Sequence, residues 1–284
     1  MPDKDWFTEF YDAEGCAIGL RVRALLHEER SAYQHIAIWD TTHWGRLMVI
    51  DGCIMLTSRD NFVYHEMMSH PALFSHPAPR RVAIIGGGDC GTLREVLRHP
   101  EVEHCVQVEI DERVTRLAEQ YFPELCEAND DPRAELRFED GIRWMAARPQ
   151  ASLDVVIIDS TDPVGPAEGL FRREFYASCR RALAPGGLLV QQTESPLLHA
   201  DSIIRGVHDE LRAAGFAAAR TLHFPQPVYP SGWWSATLAG RDAAPELIRS
   251  EAAARPPFAT RYYSLGVHQG ALALPPFLQA ALSD

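Results

Sequence analysis

Five acidic residues stand at equivalent places along the middle of the chain: Asp89, Glu109, Asp140, Asp159 and Asp162. Each lies at the end of a short apolar run or just after one. Residues 82–85 lead into Gly86-Gly87-Gly88-Asp89. The run 104–110 carries Glu109, 136–138 precedes Asp140-Gly141, and 155–158 opens onto Asp159-Ser160-Thr161-Asp162-Pro163. If these runs are parallel strands, their carboxyl ends gather the acids on one sheet edge, where ligands of such folds sit. Gly86 and Gly87 allow a tight turn and close backbone approach to a ligand. Glu109 follows Gly86 by 23 residues, close to the roughly 20-residue offset at which a carboxylate takes ribose hydroxyls. Asp140 before Gly141 suits an acceptor for the exocyclic amine of adenine, and equally an N-cap for the helix that follows.

The charges narrow the ligand. Asp89 sits inside the glycine loop, where it would repel a pyrophosphate. It would equally repel the amino-acid carboxylate of S-adenosylmethionine. A nucleoside sulfonium with an amine and no carboxylate, such as decarboxylated S-adenosylmethionine, would be attracted. Asp159 and Asp162, on a loop leaving a buried strand, could serve as a base and a cation site. Both could also be turn-forming or capping acids. The next stretch, 164–169, is rich in turn formers and reads as a mobile cover.

These acids need a scaffold. Short apolar runs alternating with helices, 92–98 and 111–121 among them, indicate an α/β fold with a parallel sheet covered by helices on both faces. We expect a further strand at 188–192, after the turn Pro185-Gly186-Gly187. Ahead of this region the chain reads as a small β-domain with strands at 16–26, 34–39, 46–50 and 53–57, and a hairpin turn at Asp51-Gly52. A helix over 60–74 follows. We therefore expect an N-terminal β-domain over 1–75 and a Rossmann-like domain over 76–284. The N-terminal strands cannot bury both faces alone, so a homodimer or homotetramer is expected.

Bulk properties exclude other classes. The 284 residues are 46% hydrophobic, enough for a real core, with a formal charge of −12. A basic face for nucleic acid is not expected. An acidic surface favours cationic ligands. No run approaches the roughly 20 apolar residues of a membrane helix, and the N-terminus lacks a signal-peptide pattern. The cysteines Cys16, Cys53, Cys90, Cys105, Cys126 and Cys179 are scattered, as in a reduced cytoplasmic protein.

Taken together the motifs resemble the spermidine synthase family. The resemblance rests on Gln34, Tyr64-His65-Glu66-Met67, Gly86-Gly87-Gly88-Asp89, Val108-Glu109-Ile110-Asp111, Asp140-Gly141, residues 159–166 and Tyr229-Pro230-Ser231-Gly232, in order from about Trp6 to Gly232. Arg261-Tyr262-Tyr263 and Ala273-Leu274-Pro275 extend it. It implies a polyamine aminopropyltransferase of class I methyltransferase-like fold. Such an enzyme moves the aminopropyl group of decarboxylated S-adenosylmethionine to putrescine, giving spermidine and methylthioadenosine. It uses no cofactor, since the donor is a co-substrate. By resemblance, Gln34 and Glu109 hold the ribose and sulfonium region. Asp140, Gly141 and Pro166 contact adenine, with Gly86 and Gly87 in the same site. Asp89 binds the donor amine, Asp159 is the base, and Tyr64, His65, Asp162 and Tyr229 position the polyamine. Cys90 stands where relatives often have glycine. Glu194 is open between a contact to the far acceptor amine and a surface acid.

Rival readings remain. Cadaverine or spermidine could be the acceptor, the chain could be a methyltransferase, or it could bind polyamines or nucleosides without catalysis. His65-Glu66-Met67-Met68-Ser69-His70 resembles a zinc-protease helix. Its histidines are five apart, about 140° around a helix, where that motif needs four. Met67 and Met68 read as core residues. Trp233 and Trp234 could wall a pocket or pack in the core. Ser195 lacks a nucleophile-elbow context.

Overall fold

The computed structural model describes residues 5–163 and 165–283, with the Pro166 side chain left out. Val164 and that side chain, both within the acidic-loop motif, lie outside the described part.

The N-terminal strands form an antiparallel sheet in the order β1-β2-β3-β4-β5: β1 (Trp6–Tyr11), β2 (Cys16–Arg30), β3 (His35–Thr41), β4 (Arg46–Ile50) and β5 (Cys53–Thr57). Sequence reading missed β1. Its inward residues are Phe7, Glu9 and Tyr11, so a buried carboxylate breaks the alternation of hydropathy. β2 runs on to Arg30 through two irregularities, between Val22 and Ala24 and between Leu25 and His27, that reset its pattern. Asp51 and Gly52 both take positive φ, 50° and 88°, as a two-residue hairpin turn requires. The central strands are covered within the chain. Ile36, Ile38 and Met48 pack against Val114, Leu117 and Ala118 on one face. Ala37, Leu47 and Val49 pack with Leu20, Ile54 and Val228 on the other. Exposed apolar residues are left on β1 and β2, at Trp6, Phe10, Leu25 and Leu26.

Helix α1 (Asn61–Ser75) links the two sheets and is buried at every residue except Phe62. Met67 and Met68 are fully buried in it, facing the core shared with Val82, Ile84, Val155 and Ile157. The second sheet has the order β11-β12-β10-β9-β6-β7-β8. Its strands are β6 (Arg81–Gly86), β7 (His104–Glu109), β8 (Ala134–Phe138), β9 (Leu153–Asp159), β10 (Leu183–Gln192), β11 (Ala218–Pro225) and β12 (Trp233–Gly240). Helices α2 (Gly91–Leu97), α3 (Glu112–Tyr121), α4 (Gly141–Ala146) and α5 (Arg173–Ala182) make the crossovers. After β10 come α6 (Pro196–His199) and α7 (Arg205–Ala213). The short helices α8 (Ser250–Ala254), α9 (Leu265–Ala271) and α10 (Pro276–Leu282) end the chain. Alternate residues of β6 and β9 enter opposite cores, Val82, Ile84, Val155 and Ile157 on one side and Ala83, Ile85, Val156 and Ile158 on the other. Burial on both faces accounts for the continuous apolar runs.

One strand runs against this Rossmann-like pattern. β12 is antiparallel to both β10 and β11. The connection 226–232 is too short for the dozen or more residues of a parallel crossover, so β11 and β12 must pair as a hairpin. Pro185-Gly186-Gly187 is not a turn ahead of β10 but an excursion inside it, where the pairing with β9 jumps from Leu183 to Leu188.

Candidate active site

Register places the acids together. Gly86 pairs with Asp159, and Glu109 with Phe138 just ahead of Asp140. The glycine loop is held to β9, with the Gly87 N–H donating to the Asp159 carbonyl at 2.8 Å. Gly86 has φ 85° and a Cβ there would collide with that carbonyl oxygen, so only glycine suits the position.

Both carboxylate oxygens of Asp159 are occupied. Oδ1 accepts from the Tyr64 hydroxyl at 2.7 Å and Oδ2 from the Thr92 hydroxyl at 2.6 Å. Burial, with the Asp89 charge nearby, raises its pKa; His65 and the two hydroxyls pull the other way. Tyr64 is held well above its ordinary pKa by burial and by Asp159, so it stays a donor. Sequence reading missed Thr92, although it sits one residue after the loop at the start of α2.

Asp89 accepts from the Gly91 N–H at 2.6 Å through Oδ1. His65 Nε2 lies 3.2 Å from the same oxygen. Burial would raise the Asp89 pKa, yet His65 and the Gly91 N–H outweigh it and the net direction is down. Cys90 takes φ 68° at the start of α2 and is fully buried. The loop thus keeps the left-handed turn that glycine favours. Gln107 donates to its sulfur at 3.5 Å.

Glu109 is 8% exposed, and burial lifts its carboxyl to about 7 against the pull of the Asp111 N–H. That N–H donates to its Oε1 at 2.9 Å. Among the described residues no hydrogen bond joins Gln34 to Glu109. Gln34 reaches the same strand end through Asp111, donating to Oδ2 at 2.9 Å, and the Ser31 hydroxyl donates to that oxygen at 2.6 Å. Asp140 is an N-cap, its Oδ1 accepting from Ile142 and Arg143 at 2.8 and 3.2 Å. This leaves Oδ2 to a 3.5 Å approach by Arg143. Gly141 is packed so closely on Ile85 that a Cβ would lie 2.6 Å from its Cγ2.

Beyond Asp159 a cavity is lined by Tyr64, Asp162, Tyr229, Trp234, Glu9 and Tyr11. Tyr229 crosses Tyr64 edge-on at 6.0 Å, packs on Trp234 at 4.7 Å and donates its hydroxyl to the Met55 carbonyl. Trp234 therefore walls the cavity, whereas Trp233 donates to His223 at 3.1 Å. Glu194 is 2% exposed and so is not a surface acid. Burial beside Asp162 holds its carboxyl well above the usual range. Glu9, raised by burial and placed near Asp162, accepts from the Ile54 N–H at 2.7 Å. Hydropathy could not reveal these two acids, because only the tertiary fold buries them. A larger groove of about 500 Å³ lies at the amino-terminal half of β11, near His208 and Leu274, and among the described residues no carboxylate lines it. The motif histidines separate: His65 meets Asp89, while His70 Nδ1 lies 3.0 Å from His99 Nε2.

Comparison with known proteins fits this geometry. The family model described as spermine/spermidine synthase domain matches residues 61–248, and that described as spermidine synthase tetramerisation domain matches residues 5–58. The polyamine aminopropyltransferase of Alkalilimnicola ehrlichii is 61% identical over 282 residues, covering 99% of both chains. That of Thioalkalivibrio sulfidiphilus is 60% identical over 280 residues, 99% of this chain and 98% of the relative. A crystal structure of a spermidine synthase in complex with the transition-state analogue AdoDATO superposes with TM-score 0.93 at 33% identity, covering 99% of this chain and 96% of that one. The spermidine synthase of Thermotoga maritima gives 0.91 at 33% identity, with the same coverage. With two family models spanning most of its length and relatives above half identity throughout, the chain belongs to the spermidine/spermine synthase family and is a polyamine aminopropyltransferase.

Proposed function

We propose that the donor is decarboxylated S-adenosylmethionine and the acceptor putrescine, so that the products are spermidine and methylthioadenosine. The observation that carries this reading is the pairing of two half-buried carboxylates at adjacent sites, Asp89 with His65 and Asp159 with Tyr64 and Thr92. One receives the donor's amine and the other the acceptor's. Glu109 takes the ribose, with Gln34 acting on that strand end through Asp111. By resemblance Asp140, Gly141 and Pro166 take adenine; Gly86 and Gly87 bring backbone close to the nucleoside, and Asp162 and Tyr229 hold the chain of the acceptor.

The reaction is an in-line displacement. The acceptor nitrogen attacks the aminopropyl carbon beside the sulfonium. The C–S bond breaks, and its electron pair leaves on the sulfur of methylthioadenosine. The positive sulfur already activates the carbon. The obstacle is the acceptor, since a primary amine with a pKa of about 10.4 is almost wholly protonated near neutrality. Asp159 removes that proton, and the fixed hydroxyls of Tyr64 and Thr92 orient the carboxylate. The raised Asp159 pKa favours this role, because a more basic carboxylate is a better proton acceptor.

A longer acceptor, cadaverine or spermidine, is the second reading, favoured by the buried carboxyls Glu9 and Glu194 near Asp162. A methyltransferase is disfavoured by Asp89. In this proposal residues 1–75 form the β-domain that brings chains together as a homodimer or homotetramer in the cytoplasm, and residues 76–284 carry the chemistry. One incubation tests the reading. Decarboxylated donor is mixed with putrescine, cadaverine or spermidine and the products are weighed by mass spectrometry. Spermidine from putrescine is expected at the highest rate; no methylthioadenosine with any acceptor would overturn the proposal.

A further inference from the structure

We propose that His65 is a proton-bearing stand-in for the donor's ammonium, charged against Asp89 while the donor site is empty and neutral once the donor's amine has taken Asp89. The inference rests on Asp89 being the donor-amine site. His65 is 1% exposed, on α1. Its Nε2 lies 3.2 and 3.4 Å from the two Asp89 oxygens. Its Nδ1 is buried with no hydrogen-bond partner among the described residues. Among the described residues Asp89 is therefore the one group that supports a charge on the ring by hydrogen bonding. The ring is also fixed in place, packed so tightly on Gly91 that a Cβ there would overlap it.

The groups around the ring are few. Asp89 faces it from the loop before α2, Asp159 from the end of β9, and Arg94 from α2; Tyr64 and Asp60 belong to its own helix and cap. Burial and Arg94 oppose a charge, Asp89 and Asp159 favour it, and the balance holds His65 above the ordinary imidazole pKa. An arriving ammonium pairs with Asp89, neutralises the charge that held the proton, and adds a like charge beside the ring. Two buried cations on one carboxylate are strongly disfavoured. The proton leaves to solvent, and the neutral imidazole can offer a lone pair to the ammonium that displaced it.

The sign follows. The His65 pKa is raised in the empty site and falls on binding. Between those two values donor binding releases up to one proton, and donor affinity rises with pH, by up to tenfold per unit. Titration calorimetry near pH 6.5, in two buffers of different ionisation enthalpy, tests this with the whole chain. The ligands are decarboxylated S-adenosylmethionine and methylthioadenosine, which lacks the amine. Glu109 also titrates near this range but serves both ligands, so the quantity read is the excess for the donor. We expect up to one extra proton released per donor, and no excess in His65→Gln, whose binding of methylthioadenosine reports an intact site. Equal release by both ligands in the unmodified chain overturns the inference, as does an excess that survives His65→Gln. A donor that binds no better than methylthioadenosine, with no dependence on Asp89, overturns the donor-site reading and the inference together.

Discussion

Asp159 has both oxygens engaged before any substrate arrives, one by Tyr64 and one by Thr92. Asp159→Asn preserves the shape of the group and removes its basicity. Its kcat is expected to fall by about 10²–10⁴-fold, with methylthioadenosine binding little changed in a direct titration. A variant with near-normal turnover would remove Asp159 as the base. Tyr64→Phe removes one of the bonds that lowers the Asp159 pKa. The acidic limb of its pH–rate profile should therefore move to higher pH, with a loss in rate of about 10- to 100-fold from one hydrogen bond to a charged group. Glu109 gives a separate test at the nucleoside. Its carboxyl ionises at about 7, and ribose hydroxyls donate better to a carboxylate than to an acid. Methylthioadenosine affinity should hold above that value and decline as pH falls below it. In Glu109→Gln the decline should vanish, leaving weak binding at every pH.

At the scale of elements, the site is assembled by α1 as much as by the strands. Its Tyr64 and His65 serve Asp159 and Asp89, while Glu66 turns away and accepts the N–H groups of Arg261, Tyr262 and Tyr263 at 2.8, 2.9 and 2.7 Å. Glu66 is 1% exposed, so Glu66→Ala would leave three backbone donors without an acceptor. A loss of about 3 kcal/mol or more is expected in denaturant unfolding, since each such group costs about 1–3. Glu66→Gln, able to satisfy part of the set, should lose less. This anchoring also marks what could be read in advance. The runs at 82–85 and 155–158 and the acids after them were legible, because burial on both faces and ligands at strand ends leave a local pattern. Thr92, Glu9 and the use of Asp111 by Gln34 were not, and Glu194, singled out in the sequence, could not be told there from a surface acid. Their partners lie 67, 45 and 77 residues away for Thr92, Glu9 and Gln34, and no local spacing encodes such contacts. β11 and β12 were missed as well, and the antiparallel course of β12 within an expected parallel sheet depends on the short link from β11, not on its own composition.

At the scale of the whole molecule, β1 joins two functions through one strand. Glu9 and Tyr11 point inward to the acceptor cavity, while Trp6 and Phe10 point outward, 45% and 61% exposed. Side chains alternate along a strand, so whatever seats the outer face also sets the inner one. β1 is an edge strand, paired among the described residues with β2 alone. Edge strands and exposed aromatic side chains are common docking elements, and the family model matched by residues 5–58 is that of a tetramerisation domain. The double variant Trp6→Glu with Phe10→Glu should therefore form a smaller species by light scattering, with an unchanged circular dichroism spectrum. Its methylthioadenosine affinity should stay within a few-fold, because Glu109 and Asp140 lie on the other sheet. Its acceptor KM should rise by about tenfold, as β1 loses the support that keeps Glu9 and Tyr11 against the cavity. An unchanged oligomer would show that this face is not the contact. A smaller species with an unchanged acceptor KM would show that β1 is seated by Ile54 and its own sheet alone.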